Sequence, residues 1–313
     1  MHTRHCDAYA TVVRTGAVYK VHSVKRQMSS ILTCSDRAYR LAGTLCWRLN
    51  PQPMTWLFVP ARFVQNSSPR LKRLRIMGES IFITGNSSGI GRALSERYLY
   101  EGWQVYGLSR RGYGASAPNL HDVRCDLEDL DAIAPALERL LHGVARLDLV
   151  ILNAGVLGQI RDLSETPLAE IRRVMDINVW ANKIILDWLL NAKIAITQIV
   201  MVSSGAAVNG NKGWGSYSLS KATLNMLAKL YAHEFSDTHI AAFAPGLIDT
   251  AMQDYLCDER NVDAQRFPSV TKLRKARGTE NMPTPSRAAD LIAACLPELK
   301  HHPSGVFLDI RSM

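Results

Sequence analysis

The run Thr84-Gly85-Asn86-Ser87-Ser88-Gly89-Ile90-Gly91 constrains the fold more than any other part of the chain. It follows an apolar stretch, Ile81-Phe82-Ile83, and leads into Arg92-Ala93-Leu94-Ser95-Glu96-Arg97-Tyr98-Leu99, which has helical spacing. A strand that feeds a glycine-rich turn that feeds a helix is the opening of a dinucleotide site. The glycines let the backbone approach a pyrophosphate, and the helix N-terminus attracts its charge. The spacing here is G-x-x-x-G-x-G rather than G-x-G-x-x-G. On its own such a cluster is also explained by plain turn chemistry.

The hydrophobic pattern extends the same reading. Strand-like apolar runs occur at residues 103–108, 147–152, 196–202, 240–244 and 306–310, with helical stretches between most of them. Near-continuous apolar strands alternating with helices predict an α/β fold, a doubly wound parallel sheet covered on both faces. A single Rossmann-type domain over residues 77–313 is large enough for a full core. A helix carrying Tyr217 is expected to run to about Phe235, with Leu219, Met226, Leu227 and Leu230 on its apolar, core-facing side.

That helix carries chemistry. Tyr217 and Lys221 are i and i+4 neighbours, so both side chains leave one helix face about 6 Å apart. A free phenol has a pKa of about 10, and an ammonium fixed nearby is expected to lower it toward working pH. Ser204, thirteen residues upstream, can donate to the same carbonyl oxygen. A bare Tyr-x-x-x-Lys is common on amphipathic helices; a phosphate-binding turn upstream of it is not.

On these motifs the chain resembles the short-chain dehydrogenase/reductase family across residues 77–313. Thr84-Gly85-x-x-x-Gly89-x-Gly91 is similar to the family's phosphate loop, with Ser87, Ser88 and Ile90 inside it. Asp126-Leu127 stands where the family contacts adenine. Leu152-Asn153-Ala154-Gly155 is similar to its Asn-Asn-Ala-Gly, with Leu in place of the first Asn. Asn178, Ser204, Tyr217 and Lys221 match its catalytic tetrad. Pro245-Gly246-x-Ile248-x-Thr250 matches the segment at the nicotinamide carboxamide. The resemblance implies a nicotinamide cofactor, Lys221 on its ribose hydroxyls, Asn178 on a water relay, and a homodimer or homotetramer. Ser203 competes with Ser204 for the serine role, and the thirteen-residue spacing favours Ser204.

Cofactor choice is written at the end of the second strand, where NAD sites place an acid and NADP sites an Arg. The segment reads Gly107-Leu108-Ser109-Arg110-Arg111, and no Asp or Glu occurs from Gly102 to His121. The expected cofactor is therefore NADP(H), with Arg110 on the 2'-phosphate and Arg111 assisting.

Residues 1–76 differ in character. They hold 13 Lys/Arg against Asp7 and Asp36, a net +11, so the remaining chain carries −2 of the total +9. The basic balance thus belongs to the extension and does not mark a nucleic-acid-binding enzyme. It reads as an irregular leader from an upstream start, with a mitochondrial targeting segment and a binding tail as alternatives. Six cysteines form no C-x-x-C pair, which fits reduced thiols and a cytoplasmic location. No metal-ligand spacing occurs around His301-His302, and no apolar run approaches the length of a membrane span.

The substrate end is less constrained. Residues 250–282 are expected to form a lid, with Met252, Tyr255 and Leu256 either lining a pocket or packing as an ordinary helix. Ser203-Ser204-Gly205-Ala206-Ala207 followed by Gly213-Trp214 resembles the sepiapterin reductase and benzil reductase branch. That likeness puts Trp214 near the substrate and Asp309 where a pterin anchor stands in some members, or where a structural Asp stands in others. The expected reaction is NADPH-dependent reduction of a small-molecule ketone, diketone or aldehyde. A 3-oxoacyl thioester reductase and a non-catalytic NADP(H)-sensing protein are the alternatives.

Overall fold

The computed structural model describes residues 78–313 and two short strands near the N-terminus, Ala10–Arg14 (β1) and Ala17–Val21 (β2). The chain divides into two units, Met1–Leu71 and Lys72–Met313. In the first, β1 and β2 pair antiparallel, with Ala10 opposite Val21. The leader expected over residues 1–76, including its boundary at Met77, otherwise lies outside the described residues.

The second unit is built on a sheet of seven parallel strands: Ser80–Thr84 (β3), Gln104–Ser109 (β4), Leu120–Arg124 (β5), Arg146–Leu152 (β6), Ala195–Val202 (β7), His239–Ala244 (β8) and Val306–Asp309 (β9). Their spatial order is β5-β4-β3-β6-β7-β8-β9. The order reverses beside β3, so loops leaving β3 and β6 part in opposite directions and open a crevice at the carboxyl edge.

Side-chain alternation along β3 supplies both cores. Ile81 and Ile83 face Leu94, Val105, Phe243, Ile292 and Leu296. That layer lies under Gly89–Tyr100 (α1) and Pro285–Leu299 (α9), which pack on each other. Phe82 points the other way, into a cluster with Leu108, Ile133, Leu147, Val150, Ile185 and Leu189. Leu130–Leu140 (α2), Ala181–Asn191 (α4) and Gly215–Glu234 (α6) contribute to it. Each fully buried Phe or Leu contributes about 1.5–3 kcal/mol by area. The helices between strands that the hydrophobic pattern implied are thus present on both faces.

One strand went unread and one expectation fails locally. The edge strand β5, Leu-His-Asp-Val-Arg, has only two apolar residues and none fully buried, so no apolar run announced it. On α6, Leu227 is buried, but Leu219, Met226 and Leu230 are 46%, 54% and 54% exposed. The buried face of that helix is Ser216, Tyr217, Ser220, Lys221, Leu224, Leu227, Ala228 and Tyr231. Its polar members gather in the N-terminal half and its apolar ones in the C-terminal half, and three of the four residues expected in the core lie outside.

Above the carboxyl edge sits a third cluster: Leu157, Ile160, Tyr217, Leu256, Val262, Phe267, Val270 and Leu273. It joins Ala251–Cys257 (α7) and Pro268–Ala276 (α8) to the rest of the unit. Leu168–Met175 (α3) and the short Ala206–Asn209 (α5) complete the helices. Among the described residues no helix is long and apolar enough to cross a membrane.

Candidate active site

The turn from β3 to α1 is shaped by contacts that only glycine permits. A Cβ at Gly91 would fall 2.4 Å from the Gly85 carbonyl oxygen and 2.6 Å from Asn153 Nδ2. Asn153 Nδ2 donates to the Thr84 carbonyl at 3.0 Å, and Thr84 Oγ1 accepts from the amides of Asn153 (3.0 Å) and Ala154 (3.1 Å). The loop after β6 is thereby tied to the glycine turn. Thr250, leading into α7, closes over it, its Cγ2 3.5 Å from where a Gly89 Cβ would stand.

These loops frame one cleft of about 900 Å³ along the carboxyl edge. The phosphate-turn residues Gly85, Ser87, Ser88, Gly89 and Ile90 line one end, with Arg110, Arg111, Asp126 and Leu127 beside them. Asn153, Ala154 and Gly155 line the middle, and Pro245, Gly246, Ile248 and Thr250 face it. Gly91 and Asn178 support the cleft from behind and do not line it. Arg111 Nη2 donates to Ser88 Oγ at 2.8 Å, and Arg110 Nη1 lies 3.8 Å from Asp126 Oδ2.

At the floor stand Ser204, Tyr217 and Lys221. Both candidate serines line the cleft, and their partners separate them. Ser203 is buried and its hydroxyl donates to Asn225 Oδ1 at 2.5 Å. Ser204 shares a hydrogen bond with Tyr217. Lys221 Nζ donates to the Val202 carbonyl at 2.6 Å and sits 5.6 Å from the centre of the Tyr217 ring.

The electrostatics differ from the expectation that the ammonium would lower the phenol. Burial pushes Tyr217 up to about 12, and the Ser204 hydrogen bond only partly offsets it. Burial pulls Lys221 down to about 8. Both groups are nearly solvent-free, and desolvation penalises each charged form more than their neighbourhood favours it. Tyr217 is a phenol at neutral pH.

Asn178 sits in a π turn, Asp176–Trp180, inserted between α3 and α4, which no spacing or composition signal announces. Such bulges redirect a side chain within a continuous helix. Asn178 Oδ1 accepts from the Val156 amide at 2.8 Å, while Nδ2 donates to the Val156 carbonyl and to Ser220 Oγ, both at 2.9 Å. A Cβ at Gly155 would lie 3.1 Å from Asn178 Oδ1 and 3.6 Å from Lys221 Nζ, so Gly155 is wedged between the two.

Of the substrate-side residues, Trp214 and Met252 line the cleft, as does Leu256. The Trp214 indole donates to Ser269 Oγ at 2.8 Å and lies 6.0 Å, centre to centre, from the Tyr217 ring. Tyr255 packs against the apolar cluster under α7 and α8 and does not line the cleft. Asp309 is also off the wall: its carboxylate holds Arg311, whose side chain takes the lining position. Sequence reasoning missed Asn209, Asn211, Gln253 and Arg311 on the cleft wall, since none belongs to a motif.

With this geometry in view, comparison with known proteins is informative. The sequence model of one family, described as short chain dehydrogenase, matches residues 79–261. A benzil reductase ((S)-benzoin forming) of Bacillus subtilis is 31% identical over 247 residues, covering 74% of this chain and 98% of that protein. A benzil reductase of Saccharomyces cerevisiae is 32% identical over 237 residues, covering 69% and 89% respectively. Among solved structures, the KRED1-Pglu enzyme superposes with a TM-score of 0.64 at 22% identity, over 74% of this chain and all of that one.

Proposed function

Because the chain belongs to the short-chain dehydrogenase family, a family of NAD(P)-dependent oxidoreductases, we propose that it reduces a ketone, diketone or aldehyde to the alcohol with NADPH. The observation that carries the reading is the convergence of Ser204, Tyr217 and Lys221 at the floor of one cleft with the glycine turn. A buried phenol held beside Ser204 is poised to give a proton, which is what the oxygen of a carbonyl needs as it becomes an alkoxide. Two relatives named as benzil reductases favour a diketone within that class.

The cleft suits a dinucleotide, with the glycine turn of residues 85–90 at one end, Asp126 and Leu127 beside it and residues 153–155 along the middle. When bound, the reduced nicotinamide supplies a hydride to the carbonyl carbon. Ser204 donates a hydrogen bond to the carbonyl oxygen, where negative charge develops. Tyr217 transfers its phenolic proton to that oxygen, completing the alcohol. Lys221 holds the ribose hydroxyls and stabilises the phenolate left behind, and Asn178 holds the Val156 loop and a relay that returns a proton to Tyr217. Arg110, with Arg111 braced on Ser88, offers two cations to a 2'-phosphate, which supports NADP(H) over NAD.

Residues 77–313 are the proposed catalytic unit, in the cytoplasm, where the free thiols of Cys125, Cys257 and Cys295 persist. The exposed apolar residues of α6 are the face proposed to meet a second copy in a homodimer or homotetramer. Oxidation of NADPH and NADH by a panel of aryl diketones, aldehydes and simple ketones tests the reading. Turnover with NADPH is expected on the diketones. Tight NADPH binding with no oxidation across the panel would replace the enzyme with a sensor.

A further inference from the structure

Two cations that no motif accounts for, Arg311 and Lys272, line the cleft. Arg311 comes from the segment after β9 and Lys272 from α8. The only carboxylate near Arg311, that of Asp309, is already committed. Its Oδ1 accepts from Arg311 Nε at 2.8 Å and from the Arg311 amide at 3.0 Å, and its Oδ2 accepts from Nη2 at 2.5 Å. Asp309 is mostly buried while Arg311 is 60% exposed, so the acid fixes the guanidinium from behind and leaves its outer edge open. Among the described residues neither Nη1 of Arg311 nor Lys272 has a hydrogen-bond or ion-pair partner.

The guanidinium reaches the turn after Ser204. A Cβ on Gly205, the next residue, would lie 2.8 Å from Arg311 Nη2, 3.2 Å from Asn209 Nδ2 and 3.6 Å from Asp309 Oδ2. Nη2 is the nitrogen that Asp309 Oδ2 holds, so the Nη1 edge of the guanidinium is the one left for a ligand, and the absence of a side chain at 205 lets Arg311 and Asn209 approach the turn. A fork of N–H donors fixed in orientation fits two oxygens of one planar group better than one neutral oxygen.

We propose that Arg311, oriented by Asp309 and joined by Asn209, receives an anionic group of the substrate, so that the preferred substrate is a carbonyl compound bearing a carboxylate close to the reacting carbon. This rests on the carbonyl-reductase reading above and narrows it. Arg311 is a specificity-determining residue here, and it takes no part in proton transfer.

The test compares phenylglyoxylate with its methyl ester, which offers the same ketone without the charge, using NADPH. The wild-type protein is expected to favour the carboxylate, and the preference to shrink as ionic strength rises. Arg311→Met should lower kcat/KM for phenylglyoxylate about 10- to 100-fold, the range for a charged hydrogen bond, and leave the ester within about threefold. Because Arg311→Met exposes Asp309 as an unpaired acid, the double variant Asp309→Asn/Arg311→Met is measured beside it and should show the same selective loss. An equal fall on both substrates would make Arg311 a structural residue and overturn the proposal. Reduction of benzil and the ester with the carboxylate refused would overturn it while leaving the reductase reading in place. Reduction of no carbonyl compound, with NADPH bound, would remove both.

Discussion

Tyr217 owes its readiness as an acid to burial, and the same burial makes its removal easy to read. Tyr217→Phe keeps the ring packed among Leu157, Leu256 and Trp214 and removes only the proton donor. Cofactor affinity should stay within a few-fold, while kcat falls by more than about 10², a loss of about 3 kcal/mol in the transition state. Retention of a tenth of the wild-type kcat would contradict its role. Arg110→Asp puts a like charge against the 2'-phosphate, so the ratio of kcat/KM for NADPH to that for NADH should move toward NADH; an unchanged ratio would leave Arg110 a solvated loop residue.

Lys221 gives a pH signature. Its folded pKa of about 8 lies below the unfolded value of 10.5, so between those limits the unfolded chain binds a proton that the folded chain does not. Stability therefore rises with pH across that window, and below about 8 the buried ammonium costs on the order of 3 kcal/mol. Lys221→Met removes that cost. Denaturant midpoints should favour the variant most at pH 7 and least near pH 10, whereas a gap that does not change with pH would count against a desolvated ammonium. The chemical identity of these residues was legible in the sequence because spacing alone puts Tyr217 and Lys221 on one face. Their protonation was not, because desolvation depends on what closes over them.

Elements differ in how openly they declare themselves. β3, β6 and β7 run through the interior, and their buried stretches at residues 81–83, 149–152 and 199–201 are apolar, so their runs are visible. β5 sits at the sheet edge with half its surface in water, and its polar sequence hides it. α6 misleads more deeply: its buried side mixes Ser216, Ser220 and Lys221 with Leu224, Leu227 and Ala228, so apolar character alone did not separate the buried Leu227 from the exposed Leu219, Met226 and Leu230. The π turn that aims Asn178 has no composition signal at all, since it is one extra residue in an otherwise regular helix. The glycine turn is the opposite case, because steric exclusion leaves one residue type. Gly91→Ala would put a methyl 2.4 Å from the Gly85 carbonyl oxygen, and neither neighbour is a flexible chain end. A drop in Tm is expected together with a loss of NADPH binding by about tenfold or more, read by thermal melts and fluorescence titration. Unchanged binding would mean the turn relaxes elsewhere.

At the scale of the molecule, β3 pairs with β4 on one side and β6 on the other, so the first strand of the sheet in chain order is interior and presents no open edge. A chain beginning at Met77 should therefore keep the kinetics of the full chain and melt within about 2 °C of it, less than a change of about 1 kcal/mol would produce. Aggregation or loss of activity would place part of residues 1–76 against the domain.

The parallel sheet also divides the molecule into two ends with unequal freedom to change. Loops that line the cleft all leave the carboxyl ends of strands, whereas the turns at residues 101–103, 141–145, 192–194 and 235–238 enter the amino ends and touch none of the chemistry. Gly102 and Gly143 lie in such turns with open space around them. Sequence length can drift there at little cost, and a foreign peptide spliced after Gly143 would ride at the far end of the sheet from the reacting carbon. The same insertion after Gly205 would land between Ser204 and Arg311. Added length is thus absorbed at one end of the sheet, and at the other it displaces the groups that face the cleft.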